Sequence, residues 1–203
     1  MTGAAALLLR CAHCGGGLDG GDGDRAWTCP HCAAAFEVAD GRLAEVPCRA
    51  LVLGRDRGDA ALPFWRVRFT PQIDGPTLPV RRALEEVSSS GRAWVRAFWM
   101  IGAFHLGDPG QKLTETAFDE TVAEDRVLPG AGVRVSSADA LRLAELFLLA
   151  AADRRADVTD ASVALLDPSV ELVVVSFRTE GADLVSPVDG ARWRRSTVPD
   201  LRG

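Results

Sequence analysis

Cys11-Ala-His-Cys14-Gly-Gly-Gly17 and Cys29-Pro-His-Cys32 decide how the first quarter of this chain folds. Each Cys-x-x-Cys turns two thiolates toward one point, and two such knuckles supply the four sulfurs of a tetrahedral Zn²⁺ shell. The glycines after the first knuckle permit positive φ and let backbone amides point at sulfur. Between the knuckles, Gly20-Gly-Asp-Gly-Asp24 reads as a loop tip, and residues 25–28 read as a strand running into Cys29. Residues 36–38 and 42–46 read as two more strands about Asp40-Gly41, a good hairpin turn. The prediction is a ribbon over residues 1–47, clipped by metal, with Trp27 and Phe36 over the site. So small a unit has little core, and metal binding supplies much of its stability.

Val46-Pro47 marks a boundary, and residues 48–203 read as an α+β domain. Residues 48–53 form an apolar strand. Leu62-Pro-Phe-Trp-Arg-Val-Arg-Phe69 alternates, with Phe64, Arg66 and Arg68 on one side and Trp65, Val67 and Phe69 on the other. That pattern predicts a half-buried strand. A short helix is expected over residues 80–87, a buried aromatic strand over 92–104, and a strand over 122–127. Asp108-Pro109 is an N-cap followed by proline at the first helical position, opening a helix to about residue 118. Ser136-x-x-Asp139 opens the clearest helix, to residue 153, with Ala140, Leu141, Ala144, Phe147, Leu148 and Ala151 on its apolar face, widened by Leu143, Leu146 and Leu149. Residues 170–177 make the strongest strand. A second hairpin turns at Asp189-Gly190, with Pro187 suited to an edge. The expected architecture is therefore a zinc ribbon followed by a mainly antiparallel sheet with about two packed helices.

The paired knuckles, Cys11-x-x-Cys14-Gly15 and Cys29-Pro30-x-Cys32, resemble those of the zinc-ribbon superfamily over roughly the first quarter of the chain. The resemblance implies Cys11, Cys14, Cys29 and Cys32 as ligands of a structural Zn²⁺. Ala33 departs from the glycine many ribbons carry after the second pair. Rubredoxins use the same knuckles to hold iron for electron transfer, but their aromatic packing and second-knuckle glycine are only partly matched. Four thiolates close the coordination shell, which favours a structural over a catalytic metal. Beyond the ribbon, Pro63-Phe-Trp-Arg66 and the aromatic segment about Trp99 resemble a group of bacterial proteins that join a zinc ribbon to a β-rich domain. No activity comes with that resemblance.

Composition limits the partners. The net charge is −5, and a single lysine, Lys112, stands among many arginines. Within the ribbon, Asp19, Asp22, Asp24, Glu37, Asp40 and Glu45 outnumber Arg10, Arg25 and Arg42. Non-specific nucleic-acid binding neutralises phosphates with Lys and Arg, so an acidic ribbon disfavours it. Arg66, Arg68, Arg92, Arg96, Arg192, Arg194 and Arg195 alternate with Trp or Phe, which is the pattern of a single-strand-binding face. The competing reading pairs those arginines with carboxylates or lays them over apolar surface.

Little else points to catalysis. Gly107-Asp-Pro-Gly-Gln-Lys112 lacks the phosphate-loop spacing, and Pro109 removes an amide the cradle needs. Glu115, Asp119, Glu120, Glu124 and Asp125 read as a solvated acidic face. His105 near Asp108 has no nucleophile tied to it. An enzyme would need a site in the second domain that the sequence does not name. Cys48, in an apolar run, reads as a small buried hydrophobe. Residues 4–9 are too short for an export signal and follow no basic region, and residues 138–152 are too charged to span a bilayer. The knuckles and this absence of a leader lead us to expect a cytoplasmic, reducing location. The expected role is a non-catalytic, protein-binding module whose ribbon edge carries Trp27, His13 and His31.

Overall fold

The computed structural model describes residues 9–39, 41–53, 58–102, 107–116, 118, 120–122, 129–199 and 201. Strands β1 (Ala26–Thr28), β2 (Ala35–Ala39) and β3 (Arg42–Val46) form a three-stranded antiparallel sheet in that order. Gly41 turns β2 into β3 at φ +72°, while Asp40 lies outside the described residues. Side chains alternate across this ribbon as strand geometry requires. Ala26, Ala35 and Val46 join the core of the following unit, and Phe36 joins Cys11 and Cys29 on the opposite side.

The second sheet is built on two long strands, β5 (Ala60–Asp74) and β8 (Ser162–Glu180). Across it the order is β7 (Glu120–Val122), β4 (Cys48–Leu53), β8, β5, β6 (Arg92–Arg96). The hairpin β9 (Asp183–Val185) and β10 (Arg192–Arg194) continues from the end of β8. Its turn contains Gly190 at φ +70°, as the Asp-Gly signal predicts. All pairings are antiparallel except β4 with β8, which is parallel. Three helices, not two, pack among the described residues: α1 (Leu78–Ser88), α2 (Pro109–Glu115) and α3 (Ser137–Asp153).

Several boundaries differ from the sequence expectation, each for a physical reason. The strand expected over 170–177 begins at Ser162 and runs through Asp167-Pro168. It does so by a bulge: the register steps from Arg68↔Ser169 to Thr70↔Leu166, so Asp167 and Pro168 together oppose Phe69. Asp167 takes φ +48°, and Pro168, which has no N–H, sits where no ladder bond is required. The strand expected over 92–104 stops at Arg96. Phe98 and Met100 turn inward, but Trp99 and Ile101 are exposed, and residues 103–106 lie outside the described set. The strand expected over 122–127 is seen as Glu120–Val122, with 123–128 outside the description.

The sheet is covered on both faces along residues 62–67, so that part of β5 is buried rather than half-buried, while Arg68, Thr70, Gln72 and Asp74 stay exposed. Trp65 and Val67 face α3, where Ala140, Ala144 and Leu148 are fully buried one helical turn apart. Leu146, expected on that face, is exposed instead. Phe64 faces the other way, into a second core with Leu62, Trp94, Phe98, Val175 and Phe177. Stacking of Phe64 on Phe177 and edge contacts to Trp94 and Phe98 knit that core. α1 closes the far end against Ala152 of α3.

α2 shields the outer edge of β6. Its Asp108 cap accepts from the Gly110 and Gln111 amides. Thr114 Oγ1 accepts from the Trp94 amide at 2.8 Å, standing in for a neighbouring strand. Gly110 makes this approach possible, because a Cβ there would lie 2.6 Å from the Trp94 carbonyl oxygen and 2.7 Å from the Arg96 nitrogen. No described helix is long and apolar enough to cross a membrane.

Candidate metal centre

The two knuckles have the same backbone plan. The Cys11 amide donates to the Gly16 carbonyl at 2.8 Å and the Gly15 amide to the Cys11 carbonyl at 2.9 Å. In the second knuckle the Cys29 amide donates to Ala34 and the Ala33 amide to Cys29, both at 2.8 Å. The residue after each second cysteine is left-handed: Gly15 at φ +72° and Ala33 at φ +58°. Ala33 therefore adopts the conformation that glycine adopts without strain. Replacing it, Ala33→Gly, removes about 1–2 kcal/mol of left-handed strain and loses about 0.4–1 kcal/mol to unfolded-state entropy. A small net stabilisation is expected, read as a later thermal unfolding midpoint with the metal content unchanged.

The four sulfurs of Cys11, Cys14, Cys29 and Cys32 lie within 4.8 Å of one another. Cys11 Sγ is 3.4 Å from Cys32 Sγ, and Cys14 Sγ is 3.4 Å from Cys29 Sγ. A tetrahedron with Zn–S bonds of about 2.3 Å has S···S edges of about 3.8 Å, so a cation of that size fits among them. The His13 amide donates to Cys11 Sγ at 3.4 Å, the kind of contact that favours a thiolate. Cys11 and Cys29 are buried beside Phe36, while Cys14 is exposed and Cys32 partly so.

The thiols influence one another strongly. Burial opposes ionisation of Cys29, but the amides of Cys32 and His31 and the thiols of Cys14 and Cys32 hold it down to about 6. At Cys32 the Ala34 amide favours the thiolate, yet the crowding of Cys11, burial and the other two thiols push it up to about 12. Sulfurs this close ionise together only with a cation between them. The chemistry of the donor set thus fits a divalent metal, with all four positions filled by protein.

Around this cluster, His13 Nε2 lies 3.0 Å from Glu45 Oε2, and its ring meets Phe36 edge-on at 6.0 Å. His31 is exposed and lies over the first knuckle: a Cβ on Gly16 would come 2.5 Å from its Cδ2. Trp27 is half-buried against Gly20 at the loop between the knuckles. His105 lies outside the described residues. Cys48 stands apart from the cluster, and burial followed by the Glu171 charge pushes its thiol up to about 11. At pH 8 about one thousandth of it is thiolate, so Cys48 in the metal-loaded protein should react far more slowly with a disulfide reagent than a free thiol does.

The arginines singled out by the sequence are mostly paired. Arg66 is 1% exposed and is held between Glu171, at 2.5 Å, and Glu120. Arg92 reaches Glu120 at 2.8 Å, Arg96 reaches Asp108, Arg192 reaches Glu180 and Asp183, and Arg194 reaches Asp183. Glu120, expected on a solvated face, is therefore part of a partly buried ion network around Arg66, and Glu115 pairs with Arg154. Sequence reading missed that network because Arg66, Arg92, Glu120 and Glu171 come from four separate strands. No protein-family model, curated protein or solved structure matches the chain.

Proposed function

We propose that the cysteine cluster holds a structural Zn²⁺ through Cys11, Cys14, Cys29 and Cys32, and that the protein acts as a non-catalytic interaction or assembly module. The carrying observation is the convergence of four sulfurs in a closed protein shell. Such a shell leaves no coordination position for substrate water, which argues for scaffolding rather than metal catalysis. In this reading the ribbon, residues 1–47, presents its edge to a protein partner, and Trp27, His13 and His31 make the contacts. A rigid, metal-clipped edge loses little entropy on docking. Free thiolates bound to zinc suit a reducing compartment, and we place the protein in the cytoplasm. The pairing of Arg66, Arg92, Arg192 and Arg194 with carboxylates leaves the single-strand nucleic-acid reading with little support.

Metal analysis of freshly purified, reduced protein should give one zinc per chain and no visible iron band. Co²⁺ substitution should give the ligand-field spectrum of a tetrahedral tetrathiolate. Capture of partners should then be lost when Trp27, His13 and His31 are replaced together, with zinc retained. Absence of a stoichiometric metal overturns the zinc assignment. Undiminished capture by the triple variant, or by knuckle Cys→Ser variants, overturns the interaction role.

A further inference from the structure

The ribbon is bonded to the first turn of α3. Glu37 shares the inner side of β2 with Ala35, and its carboxylate reaches Ser137, the first residue of the helix. Oε2 accepts from the Ser137 amide at 3.1 Å, and Oε1 accepts from the Ser137 hydroxyl at 2.5 Å. Ser136 caps the same helix by accepting from the Asp139 amide at 3.1 Å. The opening N–H groups of a helix have no partner within it, and a carboxylate there also meets the positive end of the helix dipole. α3 thus depends for one of its caps on a residue contributed by another sheet, a hundred positions upstream.

Residues 133–137 are held from both sides. The Arg25 amide donates to the Val133 carbonyl at 2.6 Å, Ala26 bridges to Val133, and Arg134 pairs with Asp24 of the ribbon at 3.3 Å. From the main sheet, Ala97 O accepts from the Arg134 amide and Val135 O accepts from Trp65 Nε1 at 2.8 Å. β1 runs directly into Cys29, and β2 begins three residues after Cys32. The second knuckle therefore sets the relative placement of the two strands that grip this strap.

We propose that metal occupancy of the knuckles is coupled to the order of residues 133–140, with Glu37 as the positioning residue that transmits it. This rests on the metal reading above. Loss of the cation frees β1 and β2, removes Glu37 from Ser137, and opens the first turn of α3, so that the helix start reports the state of the cysteine site.

Hydrogen exchange of the full chain tests this. The protein is compared zinc-loaded, after removal of zinc by a chelator, and as zinc-loaded Glu37→Gln. Chelation should speed exchange of amides at 137–141 at least tenfold, while those at 172–176 in β8 change little. Glu37→Gln should keep one zinc per chain and raise exchange in the same peptide several-fold. Faster exchange confined to the ribbon after chelation, or a Glu37→Gln peptide indistinguishable from wild type, overturns the coupling. If chelation melts the whole chain, the Glu37→Gln comparison decides. If the wild-type chain holds no metal, the metal reading fails by itself, and the same comparison still tells whether Glu37 holds the helix start.

Discussion

Cys29→Ser is expected to strip the metal and melt the ribbon as a unit. Cys29 is fully buried between β1 and the second knuckle, and a serine oxygen there is a poor replacement for thiolate in a Zn²⁺ shell. Structural zinc in small modules contributes on the order of 10 kcal/mol or more at neutral pH, which exceeds what so thin a layer of strands supplies alone. Among the described residues the ribbon's own apolar cluster is Cys11, Cys29 and Phe36, with Leu18, Cys32, Ala34 and Leu43 at its margin. Zinc content should fall from one per chain to near zero, and ribbon amides should lose protection from exchange. Cys14→Ser, at an exposed cysteine of the cluster, should weaken retention less severely. A Cys29→Ser protein that keeps both its zinc and its ribbon protection contradicts the four-sulfur centre.

Arg66→Ala should be strongly destabilising. The guanidinium is 1% exposed, lies 5.7 Å from the Trp94 ring centre, and separates Glu171 from Glu120. Removing it leaves a cavity and takes from each carboxylate its buried partner, so that, among the described residues, Glu120 keeps only Arg92 and Glu171 only the half-exposed Arg49. Breaking a buried pair from one side costs about 3–5 kcal/mol. For a chain of this size that lowers the thermal midpoint by roughly 6–20 °C. The triple change Arg66→Met, Glu120→Gln, Glu171→Gln should recover part of the loss, because the charges it leaves, Arg92 and Arg49, reach solvent. Chemical unfolding of the single and triple variants checks both. A cost under about 1 kcal/mol for Arg66→Ala would mean that water reaches the network freely.

The parts of this fold legible in the sequence are those with local causes. Cys-x-x-Cys, Ser136-x-x-Asp139, Asp108-Pro109 and Asp189-Gly190 each specify geometry within four residues, and each appears where expected. β3 and β4 match their expected bounds, because turn residues flank clean apolar patterns. What failed depends on partners far along the chain. Pro168 normally argues against a strand interior, and only the pairing with Phe69 shows why it is tolerated. Arg66 looked like a solvent residue by alternation, since nothing near it in sequence names Glu171 or Glu120. Trp99 and Ile101 looked like core by composition but are exposed. At the candidate site the convergence of the four cysteines was legible from spacing alone, whereas the link from Glu37 to Ser137 was not, because a hundred residues separate them.

The bulge opposite Phe69 has one more consequence. Slide β8 by a single residue along β5 and Pro168 leaves the bulge that excuses its missing N–H, while Leu172 and Val173 of β8 lose the separate cores they fill. One imino acid thus acts as an alignment pin for the two longest strands. Misaligned pairings are penalised twice, which favours one register for two strands that meet from distant parts of the chain.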